Sequence, residues 1–136
     1  MIGHDLARRL KEAGLRWTPA SGDRFILDVG ADLGSDVFTV SDMTVDVHRF
    51  ETGTVLGFNG TTEWALDSVE LMDALWLPRE DQLRELLGAG FIRLEAVQAG
   101  YRVDATILGR QRRFEAETAD DAYAAAVLEL ISLALA

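Results

Sequence analysis

Two short segments concentrate the side chains that could bind a partner or carry out chemistry. Residues 59–66 and residues 76–83 hold two of the three tryptophans, among closely spaced polar groups. Tryptophan and arginine are the residue types most enriched where a few side chains supply most of the binding energy of an interface. We therefore predict an interaction surface at these segments. Its residues are Asn59, Glu63, Trp64, Trp76, Arg79, Asp81 and Gln82.

The same side chains have two other interpretations. A tryptophan just before a helix often packs that helix onto the core, and Arg79 and Asp81 would then form a local charge pair or a helix cap. Alternatively, the protein is a small-ligand binder or a hydrolase, with a polar pocket around Glu63, Arg79 and the tryptophans Trp64 and Trp76. A concave pocket would favour the ligand, whereas an apolar patch around Trp76 would favour a protein partner.

The motifs of common enzyme classes are missing from the sequence. It has neither GxxxxGK[ST] nor GxGxxG, the glycine-rich loops that hold nucleotide phosphates. It contains no cysteine, which excludes thiol catalysis, disulfides and thiolate metal sites. Serine catalysis needs a histidine base, and neither histidine accompanies a GxSxG motif. We predict a protein that is not an enzyme and binds no cofactor.

Acidic residues cluster between residues 28 and 48, which raises the question of a metal site. Asp46 and His48 are two residues apart, so on a strand they would share one face. A weak Mg²⁺ or Ca²⁺ site is one interpretation, because these ions prefer oxygen ligands. The other is that acidic loops are solvated in an acidic protein. Since the EF-hand and HExxH spacings are both absent, we predict no metal site.

The charge of the chain restricts its partners. The 136 residues carry a formal net charge of −10. Phosphate backbones and acidic lipids repel such a protein, so we predict neither a nucleic-acid nor a membrane partner. The apolar stretches are too short for a membrane span, and the charged N-terminal segment is unlike a signal peptide. We expect a cytoplasmic protein.

The elements that position these residues can be read from apolar periodicity and turn residues. The first 77 residues predict a helix and several short strands, with one or two helical turns late in this stretch. Their bounds are 4–13 for the helix, 24–29, 36–40, 43–50 and 54–58 for the strands, and 62–75 for the helical turns. Pro78 is suited to the first position of the next helix.

The last third of the chain has the clearest pattern. Three strands alternate apolar and polar residues over 91–97, 101–108 and 112–116, so each has one dry and one wet face. Thr118 begins a capping motif for a final helix that ends near Leu135. We predict a single domain, 1–136, of the α+β class: an antiparallel meander sheet with helices packed on one face.

The order α-β-β-β-α from Pro78 onward is also the order of a double-stranded-RNA-binding domain. Such a domain needs basic residues at the start of its last helix to contact phosphates. This chain has Thr118 followed by Ala119, Asp120 and Asp121 at that point. The charge therefore argues against RNA binding.

Two runs, residues 58–69 and residues 74–83, resemble a group of short actinobacterial proteins that carry the label "pilus assembly protein CpaE". The W-x-P-R-x-D-x-L motif also resembles small phage-associated proteins of unknown function. It is formed here by Trp76, Pro78, Arg79, Asp81 and Leu83. Proteins of the CpaE type resemble receiver domains fused to a MinD-like ATPase, and this chain lacks the phosphate loop of such an ATPase. The resemblance therefore implies a family and no active-site residue.

The sequence thus predicts an acidic interaction module. We expect it to act as an adaptor through contact with a protein partner. A homodimer, or another homo-oligomer, is one form that this contact can take.

Overall fold

The chain has an α+β fold with antiparallel sheets, as the sequence predicts. The computed structural model describes residues 1–29, 32–33, 36–40, 45–50, 53–58, 68–70 and 73–135. The helices are α1 (His4–Ala13), α2 (Glu80–Leu87) and α3 (Ala119–Ala134). The strands are β1 (Arg24–Val29), β2 (Asp32–Leu33), β3 (Phe38–Thr39), β4 (Val45–Phe50), β5 (Gly53–Phe58), β6 (Ser68–Glu70), β7 (Ala74–Leu77), β8 (Phe91–Val97), β9 (Gly100–Ile107) and β10 (Arg110–Ala116).

The chain divides into two compact units, so each is described by itself. The larger unit joins residues 1–16 to residues 78–136, and the smaller unit is the intervening segment 17–77. The single domain predicted from the sequence stays a prediction. The smaller unit holds 11 of the 23 acidic residues and only 2 of the 13 basic ones, a net charge of −9. Nearly all of the net charge of −10 therefore belongs to the smaller unit.

The sheet of the larger unit is an antiparallel meander in the order β10-β9-β8. Its second turn is Leu108–Gly109, where both residues have positive φ, 49° and 83°, as a type I′ hairpin turn requires. Every other residue of β9 faces the helices, and Val103, Ala105 and Ile107 are buried there. These residues confirm the alternation predicted for this strand.

Helix α3 is the centre of the helical layer. It packs on β9 and β10 and also against α1 and α2. Tyr123 contacts the ring of Phe91 from β8, with 5.7 Å between ring centroids, and the guanidinium of Arg84 from α2 lies 4.3 Å from the Phe91 centroid. Because neighbours surround α3 on several sides, most of its surface can be apolar, which explains its alanine-rich sequence.

The N-terminus of the chain is attached to the start of α3. The Met1 amino group lies 2.8 Å from Asp120 Oδ2, and the Gly3 backbone N–H donates to Asp121 Oδ1 at 2.8 Å. The Thr118 Oγ1 accepts from the Asp121 N–H at 3.2 Å, which confirms the predicted cap. One helix start thus fixes both its own first turn and the entry into α1.

The smaller unit is built around β1, which pairs antiparallel with β2, β3 and β7. A separate sheet has the order β4-β5-β6. The core beside β1 consists of buried Phe25, Val40 and Ala74, with Trp17, Leu27 and Phe38 packed against it. Asp23 is also buried, and its Oδ2 accepts from Trp17 Nε1 at 2.9 Å and from the Ala20 N–H at 3.0 Å.

Two local predictions were wrong. Helical turns were predicted within residues 62–75; residues 62–67 and 71–72 lie outside the described residues, but residues 68–70 pair with β5 and residues 74–77 pair with β1. Pairing with a neighbouring strand outweighs local helix propensity here. A register shift between Phe91 and Arg93 also turns Phe91 toward the helices and leaves Ile92 40% exposed, although alternation alone predicts Ile92 on the dry face.

Candidate interaction surface

Three of the predicted site residues meet at the start of α2. Gln82 Oε1 accepts a hydrogen bond from the Arg79 backbone N–H at 2.9 Å. The Arg79 Nε donates to Asp81 Oδ1 at 3.1 Å. Glu80 and Asp81 occupy the first turn, where the helix dipole favours carboxylates. These contacts form a helix cap with a local charge pair, and a role of the same residues in binding a partner stays a prediction.

The Arg79–Asp81 pair makes a prediction about pH. The hydrogen bond from Arg79 lowers the pKa of Asp81 below its usual range. Replacing Arg79 with alanine should therefore return that pKa toward its ordinary value, which an NMR titration of the Asp81 carboxyl carbon measures. Because the folded-state pKa is the lower one, the pair stabilises the fold above the unfolded-state pKa, about 4. That stabilisation is lost as the pH falls through the lowered value.

The effect of the Arg79–Asp81 pair on stability should be small, under about 1 kcal/mol, because Asp81 is mostly exposed. The control is Arg110→Ala, at the β9–β10 turn, which should leave the Asp81 titration unchanged. An equal change in both variants, or none in Arg79→Ala, would show that the pair does not hold in solution.

Trp76 lies on β7 in the smaller unit, opposite Phe25 of β1. Its ring is stacked on that of Trp17, with 6.3 Å between centroids and 8° between planes. The Trp76 Nε1 is buried and has no hydrogen-bond partner among the described residues. Trp76 is therefore part of an aromatic cluster, the structural interpretation that the sequence leaves open.

The other predicted site residues, Asn59, Glu63 and Trp64, lie outside the described residues. Of the predicted site residues that the structure describes, it brings together Arg79, Asp81 and Gln82. The pocket predicted around the two tryptophans, Glu63 and Arg79 stays a prediction.

A charged network that the sequence did not single out lies on the face of the β8–β10 sheet opposite the helices. Asp104 at its centre is 0% exposed, and Arg93 Nε lies 2.7 Å from its Oδ2. Arg102 Nε and Arg113 Nε lie 3.6 and 3.7 Å from its Oδ1. Glu95 pairs in turn with Arg93 and Arg102. Three arginine side chains thus cover one carboxylate.

The strand register explains why these charges meet. Arg93, Asp104 and Arg113 form one row across the three strands. Glu95, Arg102 and Glu115 form the next row. Opposite charges are therefore neighbours along each row, the arrangement that favours cross-strand pairing. We call this set of six residues the charge rows.

Strand β10 provides a second surface, at the edge of this sheet. Among the described strands it pairs with β9 alone. A groove of about 560 Å³ runs beside it, between α1 and α3. The groove is lined by Leu6, Arg9, Glu12, Ala13, Phe114, Ala125, Leu128, Glu129 and Ser132. At its rim the Arg112 Nη1 lies 3.4 Å from Glu129 Oε1.

The groove is lined by both apolar and charged side chains. Leu6 and Leu128 are half-buried in it, and Phe114 projects into it from β10. Residues 6, 9, 12 and 13 of α1, and 125, 128, 129 and 132 of α3, have the spacing of one helix face, so each helix presents one stripe to the groove. This combination is typical of a surface that accepts an apolar segment and orients it with charges.

The described side chains do not assemble a metal site. No group of three or more histidines, aspartates and glutamates among them is close enough to hold an ion. Asp46 and His48 belong to β4, whose side chains the structure does not describe. Within the described part of the chain, no helix has the length and apolarity to cross a bilayer.

Comparison with known proteins adds no relative. No family model, curated protein or solved structure matches the chain. The resemblance to proteins labelled CpaE and to phage-associated proteins therefore stays an expectation from the motif.

Sequence reasoning missed the charge rows and the β10 groove for different reasons. Alternation already assigns Arg93, Glu95, Arg102 and Asp104 to the wet faces of their strands. It does not fix the register that buries Asp104 under three arginines. The groove depends on where α1 packs, and residues 1–16 are separated from α3 by about a hundred residues of sequence.

Proposed function

We propose that this protein is a non-enzymatic adaptor of the cytoplasm, and that it binds a protein partner along β10 and its groove. One observation supports this proposal above the others. The β10 edge, which no other described strand than β9 pairs with, lies beside a groove whose lining includes Leu6, Phe114 and Leu128. An exposed sheet edge is a ready template for another chain, and an adjacent apolar groove supplies binding energy and specificity.

A tagged pull-down from the native host, read by mass spectrometry, tests the proposal. The key variant is Ala125→Arg, because Ala125 lines the groove from α3 and is only partly buried, so a long side chain fills the groove without entering the core. We expect a partner of the parent protein to be depleted about tenfold or more by this variant, the loss that about 1.4 kcal/mol of binding energy produces.

Two comparisons complete the pull-down. Thermal unfolding must give the same midpoint for Ala125→Arg as for the parent, so that loss of partner reports binding and not folding. The double variant Arg79→Ala/Gln82→Ala tests the start of α2. A partner lost in this double variant and retained by Ala125→Arg would move the interaction surface to α2, and the absence of any partner would contradict the proposal.

A further inference from the structure

The direction of the free hydrogen-bonding groups on β10 follows from its turn. In a two-residue hairpin the residues flanking the turn, here Ile107 and Arg110, form a hydrogen-bonded pair. Pairs alternate along an antiparallel ladder. The backbone N–H and C=O groups of Gln111, Arg113 and Glu115 therefore point away from β9, toward the open edge.

The two edges of this sheet are not equivalent. The β8 edge carries a register shift next to the exposed Ile92, a feature by which natural sheets prevent further pairing. The β10 ladder is continuous from Arg110 to Ala116 and contains no proline. Of the two edges of this sheet, as the described strands form it, β10 presents the regular template of seven residues.

The helical layer extends beyond the β10 edge. Helix α1 packs against the side of α3 that lies toward β10. Helix α2 packs against the side of α3 that lies toward β8. Packed helices are about 8–10 Å apart, whereas paired strands are about 4.8 Å apart. Helix α1 therefore covers the position that the next strand beyond β10 would occupy. The groove is the space for that strand.

A second copy of β10 does not fit this space. A two-fold axis through paired edges keeps the helical layers of both copies on the same side of the combined sheet. With the two β10 strands about 4.8 Å apart, each α1 would overlap the position of the other copy's helices. An extended segment without a helix above it meets no such obstacle.

The walls of the groove specify the chemistry of that segment. Side chains directed toward α1 would meet Leu6, Phe114 and Leu128, so alternate residues should be apolar. Those on the opposite face would lie beside Arg113 and Glu115, which favour a carboxylate and a cation. The recognised pattern is therefore an apolar residue at every second position, with an acidic and a basic residue between.

We infer that the groove accepts an extended segment of a partner protein as a fourth strand, antiparallel to β10, with a carboxylate opposite Arg113 and apolar residues against Phe114. This inference rests on the proposed function and names the form of the partner. It also excludes the homodimer through β10 that an exposed edge would otherwise suggest.

A synthetic peptide tests the inference on the full-length protein. The probe is the capped heptapeptide Thr-Val-Arg-Val-Glu-Val-Thr, whose Glu falls opposite Arg113 when its Arg is opposite Glu115. The control peptide contains the same seven residues with the valines adjacent. By calorimetry we expect the alternating peptide to bind about tenfold or more tightly than the control. Hydrogen exchange at the amides of Gln111, Arg113 and Glu115 should slow on binding.

Two substitutions at one position isolate the backbone contact. Gln111→Pro removes an outward N–H without touching the β9 ladder, whereas Gln111→Ala removes the side chain and keeps that N–H. The proline variant should bind the peptide about tenfold more weakly, the effect of a lost hydrogen bond and a steric conflict, and the alanine variant should bind like the parent. If Gln111→Pro unfolds, the peptide is titrated against Ala125→Arg instead, which should also bind it about tenfold more weakly because the arginine fills the groove.

The outcomes separate this inference from the proposed function. Equal affinity for both peptides, equal loss in both Gln111 variants, or no peptide binding at about 1 mM overturns strand addition. The adaptor proposal survives each of these results if Ala125→Arg still loses a partner in the pull-down. A dimer in sedimentation that dissociates in Gln111→Pro would identify a second copy as the occupant and overturn the inference.

Discussion

Replacing Asp104 with asparagine should lower the free energy of unfolding by about 2 kcal/mol. The carboxylate is fully buried, and it is approached by the guanidinium groups of Arg93, Arg102 and Arg113. Removing one partner of a buried ion pair typically costs about 3–5 kcal/mol. The loss should be smaller here because Arg93 and Arg113 are 48% and 64% exposed and can turn to water.

Urea unfolding monitored by circular dichroism measures this loss. The matched control is Glu115→Gln, which removes a carboxylate from the neighbouring charge row at an exposed position. It should cost no more than about 0.5 kcal/mol. If both substitutions lower the free energy of unfolding equally, burial beneath the arginines does not make Asp104 contribute more to stability than Glu115.

Replacing Gly100 with alanine should cost about 3 kcal/mol or more, or prevent folding of the larger unit. Gly100 has φ 153°, and a Cβ at this position would lie 2.1 Å from the Ala116 carbonyl oxygen and 2.8 Å from the Glu117 Cα. Both contacts are with backbone, so no side chain can rotate to relieve them. The β8–β9 turn or the end of β10 must shift instead, and the cross-strand hydrogen bonds weaken with it.

Gly109 provides a control for the effect of φ alone. It also has positive φ, 83°, but a Cβ there would meet nothing within 4 Å. Gly109→Ala should therefore cost only about 1 kcal/mol, the strain of a left-handed conformation. Thermal and urea unfolding of both variants gives the difference. A similar loss at the two glycines would mean that the approach of Ala116 to Gly100 is looser than the structure shows.

Much of the larger unit could be predicted because its signals are local. The bounds of α1 follow from its apolar spacing and Gly14, and the Thr118 cap marks the start of α3. The predicted strands 91–97, 101–108 and 112–116 agree with β8, β9 and β10 to within two residues. Each of these features depends on residues close together in sequence.

The errors occur where distant residues decide the structure. Residues 68–70 and 74–77 become strands because β5 and β1 are available to pair with them. The bulge at Ile92 depends on fitting β8 to β9 and placing Phe91 against Tyr123. Pro78 lies two residues before α2 rather than at its first position, since Arg79 occupies the N-cap.

The candidate site divides in the same way. Local spacing suggested that Arg79 and Asp81 form a charge pair at a helix start, and the structure shows that pair. Neither the burial of Asp104 nor the groove beside β10 follows from spacing. The first depends on register across three strands, and the second on the packing of α1 against a helix from the other end of the chain.

The stacked Trp17 and Trp76 have a consequence for the order of folding. Segment 17–77 interrupts the larger unit, so packing residues 1–16 onto an already folded 78–136 closes a loop of 61 residues, at an entropic cost of roughly 3.6 kcal/mol for a flexible chain. Stacking of these rings, together with the pairing of Arg24 with Leu77, holds the two ends of the segment near each other. When the inserted segment folds first, most of that loop is already closed, and α1 reaches α3 over a short effective distance.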